Sequence, residues 1–112
     1  MSLFDAQHFY DEICQAAIAF FDLTSKEALP IVSDLLGCLE EEAGVLAKNA
    51  DQPATTKYLL AYDNIATVAK KLQTNELLGM LNRLGKCSMP EHAEERKRVI
   101  DEMLKRLAAA RT

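Results

Sequence analysis

The sequence predicts an all-α protein: a compact four- or five-helix bundle whose antiparallel neighbours are joined by short loops. Only four glycines and three prolines are spread over the 112 residues. β-Branched residues never cluster in the apolar and polar alternation of a half-buried strand. Apolar residues instead recur every three or four positions almost throughout, the spacing that lines up one face of a helix.

The first helix is expected over roughly residues 3 to 23. Within it the stretch ICQAAIAFF, residues 13 to 21, has Gln15 as its only fully polar side chain. At about 100° per residue, Phe9, Ile13, Ala16, Ala17 and Phe20 share a face, and Tyr10, Cys14, Ile18 and Phe21 extend it. The arc spans about 200°, twice the width an amphipathic surface helix needs. His8, Asp11, Glu12, Gln15, Ala19 and Asp22 are left for water. One neighbour cannot cover such a helix, so it is expected in the middle of the fold or at a contact between subunits.

Thr24-Ser25-Lys26-Glu27 has the form of a capping box, in which the threonine hydroxyl and the glutamate carboxylate each accept the other residue's amide. Pro30 lacks an amide hydrogen, so a helix opened at Thr24 either kinks there or has its regular part begin there. Val32, Leu35, Leu36, Leu39, Ala43 and Leu46 continue a stripe to about Lys48, and Asn49 suits its end. Asn49 to Ala54 is a short connection, with Asp51 or Gln52 as the next cap and Pro53 in the first turn. Tyr58, Tyr62, Ile65, Ala69 and Leu72 then form the cleanest helical seam of the chain. Thr74-Asn75-Glu76 interrupts it, so residues 54 to 84 read equally as one broken helix or as two, closed by Gly85 at a position suited to a helix C-terminus. Ser88-Met89-Pro90-Glu91 is a second capping-box pattern. The last helix carries Ala93, Ile100, Met103, Leu104 and Leu107. Arg96 and Lys97 flank that stripe, where long cations lay their methylenes on apolar surface and keep their charge in water.

A chain of this length has the size of one domain, and residues 1 to 112 are expected to form a single helical unit. The composition, 49% apolar and 27% charged, is that of a globular protein and not of a disordered one. Three cysteines at positions 14, 38 and 87 make no disulfide framework and fit a reducing compartment. No basic segment precedes the first apolar run, and no uncharged apolar run reaches the roughly 18 residues of a membrane span. A cytoplasmic protein without membrane contact is expected. The net charge of −4 conceals an asymmetry: residues 1 to 52 hold ten acids against Lys26 and Lys48, and residues 53 to 112 hold seven acids against eleven bases. The two halves should attract each other.

Residues that carry chemistry are sparse. Asp5, His8 and Glu12 are three and four apart and share a face of the first helix. They could begin a metal site, although metal sites in bundles draw matching ligands from other helices. Cys38 with Glu42 and Cys87 with His92 are the remaining pairs, and no Cys-x-x-Cys or Glu-x-x-His occurs. Isolated glycines build no phosphate loop, and no Cys/His arrangement is recognisable, so neither catalysis nor a cofactor is expected. The basic run Arg96, Lys97 and Arg98 raises contact with nucleic acid. Interspersed Glu94, Glu95, Asp101 and Glu102, and the acidity of the whole protein, weigh against it.

The leading expectation is a non-catalytic interaction module of adaptor or chaperone type. It would self-associate, as a dimer or larger homo-oligomer, through Phe9, Ile13, Ala17, Phe20 and Phe21 of the first helix together with Leu60. The acidic run Glu40, Glu41 and Glu42 is expected to face Arg96, Lys97 and Arg98, within the chain or between copies. A metal- or ligand-binding bundle around Asp5, His8 and Glu12, with an enzymatic activity left open, ranks second, and nucleic-acid binding through the last helix third.

Overall fold

The computed structural model describes residues 5–87 and 90–111. Its five α-helices are α1 (Ala6–Phe21), α2 (Ser25–Lys48), α3 (Thr56–Leu72), α4 (Asn75–Lys86) and α5 (Ala93–Arg111), the last preceded by a 3-10 turn at Pro90–His92. No strand occurs among the described residues, and no described helix is long and apolar enough to cross a membrane.

Local chemistry fixes most helix ends. Asp5 caps α1, and Asp22 ends it in the left-handed conformation at φ 54°, which Asp tolerates better than most residues. At α2 both capping-box bonds form: Thr24 Oγ1 accepts from the Glu27 amide at 3.2 Å, and Glu27 Oε1 accepts from the Thr24 amide at 2.9 Å. The helix starts at Ser25 and carries Pro30 inside its second turn. Asn49 terminates α2 and donates from its side chain to the Val45 carbonyl at 2.8 Å.

The next cap differs from the expected Asp51 or Gln52. Thr55 caps α3, accepting the Tyr58 amide while its hydroxyl donates to the Gln52 carbonyl at 2.9 Å. Pro53 therefore lies in the loop before the helix. Residues 54 to 84 form two helices, because Gln73 turns left-handed at φ 51° and the Thr74 amide closes back on the Ala69 carbonyl at 3.1 Å. Gly85 is not the terminator expected of it: α4 continues to Lys86 and Cys87 caps it. The capping-box pattern at Ser88 lies outside the described residues.

The middle of the fold belongs to α2, which packs on α1, α3 and α5. Its Val32, Leu36, Leu39, Ala43 and Leu46 meet Ile65, Ala69 and Leu72 of α3, Leu77 and Met80 of α4, and Val99, Ile100, Met103 and Leu107 of α5 in one continuous apolar core. Truncating a fully buried leucine or isoleucine in such a core costs about 2–5 kcal/mol.

Of the two places expected for α1, the middle of the fold is corrected, since α2 holds it. Only Phe9, Ile13 and Ala17, a stripe one residue wide, are buried. Tyr10, Cys14 and Ala16 are partly covered, and Phe20 and Phe21 stay outside. A second correction concerns Arg96, expected at the flank of its stripe. It is 1% exposed, because it stands in register with Val99, Ile100, Met103 and Leu107 on the buried face of α5.

Candidate functional site

Asp5, His8 and Glu12 lie along one side of α1, but their carboxylates hold the fold together. Asp5 Oδ1 accepts the amides of Gln7 and His8 at 3.1 and 3.2 Å, forming the cap of α1. Glu12 Oε1 accepts the Asn75 amide at 3.3 Å. Asn75 opens α4, whose own cap residue Thr74 makes no side-chain cap bond. A carboxylate on α1 thus supplies the negative charge that the N-terminus of α4 favours. The other oxygen of Glu12 lies 3.8 Å from His8 Nε2. Among the described residues no group of three or more His, Cys, Asp or Glu side chains could hold a metal ion.

The cysteines are free thiols in three environments: Cys38 exposed, Cys14 half-buried and Cys87 buried. Burial pushes the Cys14 thiol above its ordinary pKa, partly offset by its hydrogen bond with Tyr10. Burial likewise raises the Tyr10 phenol, and the same hydrogen bond adds to the rise. This is the reverse of the electropositive setting that activates a nucleophilic cysteine.

The two charged runs find their partners elsewhere. Glu40 lies 3.2 Å from Arg111 Nε, and Glu42 accepts from Asn64 Nδ2 at 3.3 Å; Glu41 is exposed. Lys97 pairs with Asp51 at 2.8 Å and Arg98 with Glu95 at 2.8 Å. The Lys97 ammonium, by hydrogen bond and by charge, holds the Asp51 carboxyl below the usual carboxylate range. Arg106 pairs with Glu76 and Glu102, and Lys105 with Asp101 at 3.0 Å. The attraction between acidic and basic halves is therefore carried by Asp51 with Lys97 and by Glu40 with Arg111. Arg96, being inside the bundle, presents no charge to a phosphate backbone.

Of the six residues expected at an interface, Phe9, Ile13 and Ala17 are sealed by the chain's own helices. Phe20 and Phe21 are 52% and 46% exposed, and Leu60 is 58% exposed. The two phenylalanine rings pack edge to face on each other, centroids 4.9 Å apart. Beside them is a groove of about 220 Å³ between the end of α1 and the end of α3, lined by Ala16, Ala19, Phe20, Lys71, Leu72 and Gln73. Leu29, on the second turn of α2, is also half-exposed. Leu60 belongs to another region. It precedes Leu72 by twelve residues on α3, which separates them by about 18 Å along the helix axis.

Compared with known protein families, with curated proteins and with solved structures, the chain shows no match. The geometry defines its class: a five-helix bundle with an aromatic end patch.

Proposed function

We propose that the protein is a non-catalytic helical interaction module that self-associates, two copies meeting through the Phe20 and Phe21 end of the first helix. The observation that supports this is a projection beside a recess. An exposed aromatic pair stands next to a groove with small residues on one wall, Ala16 and Ala19, and Leu72 on the other. A cavity of about 150 Å³ already accepts a benzene ring, so the recess is large enough for a phenyl group. A patch holding both parts is self-complementary, which is the requirement of a two-fold contact. In that contact each copy's Phe20 enters the other's recess. Aromatic residues are the type enriched at such contacts.

Sedimentation equilibrium of the wild type and of Phe20→Ser/Phe21→Ser tests the reading. The wild type is expected at twice the 12.5 kDa chain mass. The variant is expected at the chain mass with an unchanged helical circular-dichroism spectrum, since neither ring supports the core. A wild type that stays monomeric at high micromolar concentration, or a variant that still dimerises, overturns it.

A further inference from the structure

A groove of about 550 Å³ runs along the seam between the last turns of α2 and the first turns of α3. The antiparallel register orders its lining. At one end Lys48, the last residue of α2, and Lys57, the second of α3, both border the groove. In the middle Val45 faces Leu60 and Ala61. At the far end Glu42 accepts a hydrogen bond from Asn64 across the seam. The groove is thus open and cationic at one end, apolar along its length and closed by a polar pair at the other.

Charge decides what fits it. Every basic residue of α5 meets a carboxylate or backbone carbonyls of the chain itself. Among the described residues Lys48 and Lys57 have no carboxylate partner. Lys57 moreover stands in the first turn of α3, where a cation adds to the positive end of the helix dipole. Beside these cations Leu60, which lines the groove, is more than half exposed. We infer that this groove docks an acidic segment of a partner protein, seating an apolar side chain against Val45, Leu60 and Ala61 and a carboxylate between Lys48 and Lys57. Apolar anchors in a groove with charges at its rim are a recurring mode of peptide recognition. The site lies at the opposite end of α3 from the proposed self-contact, so either can fail without the other.

The test uses two labelled synthetic peptides of about twelve residues, both with Leu and Phe at helical spacing, one with Asp and Glu between them and the other with Lys in their place. Fluorescence anisotropy with the full chain reads binding. The acidic peptide is expected to bind, more weakly as salt rises, and the basic one is not. Leu60→Ser should weaken the acidic peptide by about tenfold or more, a loss of one decade in Kd, and Lys48→Glu/Lys57→Glu should reverse the preference between peptides. All three positions are exposed, so helicity serves as the control for folding. Equal binding of both peptides, indifference to these substitutions, or no binding of the acidic peptide up to about 1 mM overturns the assignment. So does a fall in sedimented mass on Leu60→Ser, which would make the groove a contact between copies.

Discussion

Arg96 Nε, in the first turn of α5, donates to the backbone carbonyl of Ala50, just beyond the end of α2, at 2.6 Å. A second guanidinium nitrogen donates to the carbonyl of Cys87, the residue that caps α4, also at 2.6 Å. Two helix C-termini, each carrying partial negative charge, therefore converge on one buried cation. The planar fork of arginine fastens α2, α4 and α5 together where no apolar side chain could satisfy the carbonyls.

Replacing Arg96 by Ala or Met leaves both carbonyls buried without a donor. The expected loss is about 1–3 kcal/mol for each carbonyl left unsatisfied. Lysine keeps the charge without the fork and recovers only part of it. Urea unfolding followed by circular dichroism measures the difference; an Arg96→Met protein as stable as the wild type would show that Arg96 does not clamp the three helices.

At the opposite side of α4, Glu12→Gln should cost about 0.5–1 kcal/mol, since it removes a charge from a helix N-terminus and weakens an acceptor. Amide exchange at Asn75 should quicken in the variant. Thr74, next to it, is buried with its hydroxyl unpartnered. Burying an unsatisfied hydroxyl is unfavourable, so Thr74→Val is expected to leave stability unchanged or to raise it. A clear fall in melting temperature for that variant would mean that the hydroxyl has a partner in solution.

Thiol chemistry should follow burial. A neutral-pH alkylating reagent is expected to modify exposed Cys38 first and Cys14 more slowly, because burial keeps its thiol protonated. Buried Cys87 should react only as the chain unfolds. Peptide mapping against time gives the order, and early labelling of Cys87 would contradict the packing at the end of α4.

Acid should weaken the fold through Glu27 and Asp51. Hydrogen bonds from Thr24, the backbone amide first, lower the Glu27 pKa, and the hydrogen bond from Lys97 with its charge lowers that of Asp51. A folded-state pKa below the unfolded value stabilises fully above the unfolded value, roughly pH 4, and the contribution disappears as pH falls through the folded one. Thermal melts across pH should be flat from neutrality to about pH 5 and fall below it. Glu27→Gln/Asp51→Asn should make that fall shallower; an unchanged acid limb would show that neither bond matters in solution.

What the sequence disclosed was whatever depends on near neighbours. The box at Thr24 and Glu27, the stop at Asn49 and the stripe through Tyr58, Ile65, Ala69 and Leu72 all involve residues within a few positions, and all are present in the structure. What it hid depends on partners distant in the chain. Arg96 recurs with Val99, Ile100, Met103 and Leu107 at core spacing, which was the available signal, but the carbonyls that accept from it lie at the ends of two other helices. The Glu12 carboxylate resembled a metal ligand because its use, capping α4, is supplied across 63 residues of chain. The wide apolar arc of α1 suggested burial all round. Because α2 occupies the centre instead, the outer part of the arc, at Phe20 and Phe21, is left to solvent or to a second copy.

That outer arc is tested most directly by nuclear Overhauser spectroscopy on a mixture of isotope-labelled and unlabelled chains, filtered for contacts between copies. Cross-peaks are expected between the Phe20 ring of one copy and the Ala16 and Ala19 methyl groups of the other. A filtered spectrum empty of such peaks, at a concentration where every other contact of α1 is seen within the chain, would contradict it.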